Sequence, residues 1–148
     1  MATRGRHRPR RGPRLFLNAY EDRAFTRCPR CGRAPTKVRK VYLVIFVEPA
    51  LNLVLNKVCR FCERCSLLIV KRAELEGLMA YAAEQHDPSV IGNDYVVVGT
   101  LDRADGRQVK AGKLDGTALL DRVNVFREEL QFEPAGWRWV PPEDSGTT

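Results

Sequence analysis

Residues 28–70 read CPRCGRAPTKVRKVYLVIFVEPALNLVLNKVCRFCERCSLLIV. Two long, largely apolar runs meet at Glu48-Pro49-Ala50, a turn signal, and a C-x-x-C pair stands at each outer end. Thr36 to Val47 predicts a strand whose first part alternates charged and apolar residues and whose second part is apolar on both faces. Leu51 to Arg60 predicts the return strand. Leu51, Leu53, Leu55, Cys59 and Phe61 share one face, with Lys57 the exception, and Asn52, Val54, Asn56, Val58 and Arg60 share the other. A hairpin folded near Pro49 brings Cys28-Pro29-Arg30-Cys31-Gly32 and Cys59-Arg60-Phe61-Cys62-Glu63-Arg64-Cys65 to its open end. At about 3.3 Å per residue its arms reach roughly 35 Å, more than a metal site needs. The turn end is therefore expected to pack on the C-terminal half.

Working outward, Leu15 to Tyr20 and Leu67 to Val70 read as further strands. Arg72 to His86 reads as a helix, with Leu75, Leu78, Met79 and Ala82 on one stripe and Asp87-Pro88 ending it. Tyr95 to Leu101 reads as a buried strand and Asp102 to Leu114 as a polar loop. Asp115 can cap a short helix with Leu119, Leu120 and Val123 facing inward. Glu128 to Phe132 and Trp137 to Val140 read as a closing hairpin in which Trp137 and Trp139 cover core. Asp94, Asp102, Arg103, Asp105 and Arg107 read as loop and turn formers, because no second constellation supports an acid–base or Mg²⁺ site.

The charge is unevenly divided. Residues 1–20 hold six arginines and no acid, giving +6; residues 21–72 carry +8 and residues 73–148 carry −7, within a net charge of +7. Residues 1–14 contain too little apolar surface to offset the entropy of ordering. They are expected to be a disordered arm, able to contact phosphate backbones. Arg27, Arg30, Arg33, Lys37, Arg39 and Lys40 surround the first cysteine pair, and Arg60 and Arg64 the second. These are the candidate nucleic-acid contacts, with Phe61 or Tyr42 available for stacking. No apolar core of a secretory signal follows the charged N-terminus, and the longest apolar run, Val41 to Val47, is too short to cross a bilayer. The expectation is a cytoplasmic protein without a membrane partner, in which clustered cysteines hold metal rather than form disulfides.

Paired thiolates at this spacing suit tetrahedral Zn²⁺. Spacing alone leaves Cys59/Cys62 as a rival to Cys62/Cys65, and leaves zinc against iron open. Cys-Pro-Arg-Cys-Gly, the hairpin, and Phe-Cys-Glu-Arg-Cys leading into an apolar strand resemble the zinc-ribbon family, over roughly residues 25–71. VCRFCERCSLLIV also resembles bacterial zinc-ribbon proteins, a likeness that brings no activity with it. The resemblance implies Cys28, Cys31, Cys62 and Cys65 as ligands of a structural zinc, with Cys59 a small apolar side chain in the preceding strand. Gly32 matches the family's backbone reversal and Ser66 departs from it. A shell closed by four thiolates leaves no position for substrate, and neither His7 nor His86 is placed near the site.

The expected fold is α+β: a zinc ribbon with an elongated β-hairpin, one amphipathic helix and a small C-terminal β-rich segment. Its parts are the arm (1–14), the ribbon (15–72), the helix with the β-rich segment packed on the ribbon (73–140) and a flexible tail (141–148). The expected function is a non-enzymatic zinc-binding module that contacts nucleic acid or a ribonucleoprotein through the basic ribbon and arm. The alternatives are a protein–protein adaptor, and a thiol-redox or metal-dependent enzyme with a reactive Cys59.

Overall fold

The computed structural model describes residues 10–142. The long hairpin forms as expected from its pattern: β3 (Lys37–Val47) pairs antiparallel with β4 (Leu51–Cys62) along its whole length, from Lys37 opposite Phe61 to Val47 opposite Leu51. It is not a separate ribbon. It is the centre of one mixed sheet that holds eight strands among the described residues. On one side β4 pairs with β5 (Leu67–Lys71), which pairs in parallel with β2 (Arg14–Asn18). On the other side β3 pairs with β6 (Tyr95–Leu101), and β6 with β7 (Asn124–Val125).

The sheet is strongly curled into a half-barrel. The two flanks are tied by a parallel ladder in one register. In β1 (Arg10–Arg11), Arg10 lies opposite Asn124 and Arg11 opposite Val125; in β2, Leu15 and Phe16 lie opposite Glu129 and Leu130 of β8 (Glu129–Leu130). Gly12 N donates to Val125 O, Arg127 N to Pro13 O and Leu15 N to Glu128 O between these pairs. Two features favour the curl. The β3/β6 register slips by one residue beside Val98, a bulge that sharpens local twist. Gly99 lies against the Asn124 carbonyl, where a Cβ would collide with backbone, so β6 and β7 can approach closely.

One face of the sheet feeds a single apolar core. Leu15, Leu43, Ile45, Val47, Leu53, Cys59, Phe61, Leu68, Val70 and Val97 are buried there. The helix α1 (Arg72–His86) closes the hairpin-turn end of this face with Leu75, Met79 and Ala83, spaced four apart, and leaves Leu78 exposed. The opposite face carries two smaller cores. Val44, Leu101, Leu119 and Val123 form one, covered by α3 (Gly116–Arg122), and aromatic side chains around the cysteines form the other.

The expected fold class is therefore corrected. The C-terminal residues do not form a small segment resting on a ribbon. They contribute β6, β7 and β8 to the same sheet, because the turn end of the hairpin leaves the β3 edge unpaired and the apolar run 95–101 satisfies it. Three α-helices are present among the described residues where the expected fold class named one amphipathic helix; α3 is the short helix expected after Asp115, and the remaining one is not expected from the sequence. Asp102 to Leu114 is not a loop: α2 (Arg103–Lys110) occupies it, and Gly106 lets that helix lie on the Tyr42 ring. The closing hairpin pairs β9 (Glu133–Ala135) with β10 (Arg138–Val140), while Glu129–Leu130 joins β2 instead.

Residues 1–9 of the expected arm and 143–148 of the expected tail lie outside the described residues. Arg10 and Arg11 pair in the sheet. Arg14 clamps it: Nε meets Glu128 Oε2 at 2.6 Å and Nη1 donates to the Cys65 carbonyl at 2.7 Å. Lys57, the exception in the apolar face of β4, is buried and reaches α1, where Nζ meets Glu74 Oε1 at 2.6 Å.

Candidate metal centre

Two tight turns bring four cysteines together at the knuckle end of the hairpin. The first turn is held by a short backbone ladder: Cys28 N donates to Ala34 O at 2.9 Å and Thr36 N to Thr26 O at 2.9 Å. Thr36 Oγ1 donates to Phe25 O at 2.7 Å. Within the turn, Gly32 N donates to Cys28 O at 2.9 Å, and Gly32 takes φ +70°, a conformation glycine adopts without Cβ strain. The second turn follows Cys62 and ends at Ser66 with φ +51°, so a serine does there what a glycine does in the first.

The Sγ atoms of Cys28, Cys31, Cys62 and Cys65 all lie within 4.8 Å of one another. The Cys28–Cys65 separation is 3.8 Å. A tetrahedron with metal–sulfur bonds of about 2.3 Å has edges of about 3.8 Å, so the donor set fits a Zn²⁺-sized ion. The four are free thiols, with no disulfide among them. Backbone N–H groups point at the sulfurs, from Arg30 to Cys28 at 3.3 Å and from Ala34 to Cys31 at 3.5 Å. Burial pushes the Cys28 and Cys65 thiols up. Burial also acts on Cys31, but the N–H groups of Ala34 and Arg33 and the neighbouring thiols outweigh it and hold Cys31 down to about 6. Such a cluster favours a cation, which relieves the cost of placing thiolates side by side.

Cys59 is elsewhere. It is buried in the inner core, its Sγ lies 3.6 Å from the Lys57 carbonyl, and desolvation pushes its thiol up to about 12. The spacing rival built on Cys59 and Cys62 therefore does not assemble.

The cluster rests on an aromatic floor. Phe16 stands edge-on to Phe25 at 5.3 Å and to Phe132 at 5.0 Å, and Phe25 stands edge-on to Trp139 at 4.7 Å. Trp139 thus belongs to a core, as its pattern suggested, but Trp137 is fully exposed. It borders a groove of about 580 Å³ beside the first cysteine turn, together with Arg23, Arg27, Arg30 and Arg138. Sequence reading did not single out this groove. The alternation of Trp137, Arg138 and Trp139 was its only signal, and which tryptophan faces solvent depends on the partner strand.

The expected basic contacts divide into groups. Arg27, Arg30, Arg33, Lys37, Lys40 and Arg64 are exposed around the cysteine turns. Lys37 Nζ meets Glu63 Oε1 at 3.1 Å, and Arg27 Nη1 donates to Arg33 O at 3.0 Å. Arg60 is structural: Nε donates to Thr36 Oγ1 at 2.7 Å and Nη2 to Thr36 O at 3.0 Å, joining β4 to the first turn. Arg39 lies on the inner face, its guanidinium 3.8 Å from the centre of the Phe61 ring. Phe61 is buried and does not offer a stacking face at the cysteine turns, and Tyr42 packs against the core under α2 and α3.

Asp102 accepts from Asn124 Nδ2 at 3.0 Å, and Asp105 accepts from Arg122 Nη1 at 3.2 Å. No described helix is long and apolar enough to cross a membrane. No protein-family model matches this chain, and neither does any of the curated proteins or solved structures compared with it.

Proposed function

We propose that this chain is a non-enzymatic binding module, held by a structural zinc on Cys28, Cys31, Cys62 and Cys65, that contacts single-stranded nucleic acid or a ribonucleoprotein beside its first cysteine turn. The observation that carries the reading is the fully exposed Trp137 bordering a groove with four arginines, Arg23, Arg27, Arg30 and Arg138. Guanidinium groups neutralise backbone phosphates and an exposed indole offers a face on which a base can stack. Arg33, Lys40 and Arg64 are further exposed basic side chains on the hairpin and cysteine turns, while Lys37 is paired with Glu63. A closed four-thiolate shell offers no substrate position, and a buried thiol pushed up to about 12 at Cys59 is a poor nucleophile. Both support a non-enzymatic role.

The test is titration of a labelled single-stranded oligonucleotide at several salt concentrations. The expected result is binding whose log–log salt slope is clearly negative. Trp137→Ala should weaken it about tenfold, the scale of one lost base stack. Absence of binding at low salt, or a slope near zero, would overturn the proposal. A protein partner is the second reading, favoured by Val38 and Val58, large apolar side chains exposed near each other on the hairpin. A complex that survives nuclease and high salt, and is lost in Val38→Asp, would favour it.

A further inference from the structure

A second basic site lies at the opposite end of the inner core from α1. There the curl leaves a cavity of about 330 Å³. Its apolar lining includes Val41, Phe61 and Leu68, all on the inner face. Arg11, Arg39 and Arg127 line it as well, from three different parts of the chain. Arg39 is held over the Phe61 ring at 3.8 Å. Arg127 is oriented by Nε donating to Gly12 O at 3.1 Å. Arg11 makes no side-chain hydrogen bond or ion pair with another described residue, and Arg39 makes only its ring contact. The one carboxylate on the cavity wall, Asp102, accepts from Asn124. Three arginines and a single acid thus line the space, a local excess of positive charge that favours an anion.

We propose that this cavity binds a small phosphate monoester with a planar or apolar body, of nucleotide size. Guanidinium forks match phosphate oxygens in pairs, which a carboxylate-poor wall leaves available. The apolar lining suits the body of the ligand, and the volume lies at the small end of ligand cavities, which cluster near about 300–1,000 Å³. Mouths of curled or closed sheets are common places for such sites. This site is distinct from the Trp137 groove, with no lining residue in common.

Isothermal titration of the full metal-loaded chain at low salt tests it, with AMP, inorganic phosphate and adenosine as probes. AMP is expected to bind saturably, inorganic phosphate more weakly, and adenosine not at all. Arg11→Gln and Arg39→Gln should each weaken AMP binding about tenfold, the loss of one charge-assisted contact. Arg11 is on the surface, so R11Q reads out the site even if R39Q disturbs the Phe61 packing. Trp137→Ala should leave AMP binding unchanged. The proposal is overturned if neither AMP nor inorganic phosphate binds, if R11Q and R39Q bind AMP like the parent chain, or if W137A abolishes it. Failure of oligonucleotide binding with AMP binding intact would remove the proposed nucleic-acid role and leave this site standing.

Discussion

The inner face of the sheet and the cysteine end of the molecule are held by different means. On the inner face, side chains from five strands and α1 bury one another, and Leu15, Leu43, Ile45, Val70 and Leu75 are wholly inaccessible. Between Ala19 and Pro35 only Phe25, Cys28 and Pro29 are buried. A stretch of that length cannot offset its ordering entropy with so little apolar surface. The difference teaches where a metal on the four sulfurs would matter: it would hold a segment that the hydrophobic effect does not.

The largest expected break in this comparison is at the sulfurs. Cys62→Ser should abolish stoichiometric metal binding and cost at least about 3 kcal/mol, because the buried cluster loses its cation. Hydrogen exchange should show residues 23–36 losing protection while β3 and β4 keep theirs. Cys59→Ser is the control: metal content stays that of the parent chain and stability falls by about 1–2 kcal/mol, from a hydroxyl placed in an apolar core. Equal loss of metal in both variants would refute the assignment.

A smaller effect is expected where the inner face admits a charge. Glu74→Gln leaves the Lys57 ammonium, whose side chain is only 8% exposed, with the Val58 carbonyl as its remaining described partner. Because Glu74 itself is about half exposed, the cost should be about 1 kcal/mol by denaturant unfolding. The hydrogen bond from Lys57 holds the Glu74 carboxyl below its usual range, against a small opposing effect of burial. A lowered carboxylate contributes stability above its unfolded value of about 4.3 and loses it as pH falls through the folded one. The gap between E74Q and the parent chain should therefore be full at pH 7 and close below about pH 4. A gap that does not depend on pH would contradict the ion pair.

The smallest expected effect sharpens the comparison between the two cysteine turns. Gly32 and Ser66 both hold left-handed backbone, but only Ser66 carries a Cβ there. Ser66→Gly should stabilise the chain by roughly 0.5–1 kcal/mol, the usual strain of a non-glycine residue in that region less the entropy glycine adds to the unfolded chain. Gly32→Ser should destabilise by a similar amount. Thermal unfolding of the metal-loaded variants measures both.

Much of the local structure was legible in the sequence. Period-two alternation marks β3 and β4, the 3.6-residue stripe marks α1, and the cysteine spacing marks four sulfurs that do meet. The helix within 102–114 is not legible in the sequence because its three-dimensional support is remote. With Asp105 and Gly106 as its buried residues, α2 has no apolar stripe to announce it, and is placed by contact with Tyr42 and by Arg122 on Asp105. Arg14 and Arg39 look like any other arginine in a basic chain, yet one clamps the second cysteine turn and the other covers Phe61.

By itself the sequence determined the hairpin, the pairing of cysteines at its open end and the first long helix, because each is written in residues close along the chain; that Cys65 rather than Cys59 joins the cluster was decided by the tertiary structure. Tertiary structure alone decided that these parts form one curled sheet. The ladder between residues 10–16 and 124–130 joins segments more than a hundred residues apart, and three of its four strands, β1, β7 and β8, are two residues long and carry no pattern of their own. It forms because unpaired backbone edges of a buried sheet must find partners, and it brings Arg11 and Arg127, far apart in the chain, to the wall of one cavity with Arg39.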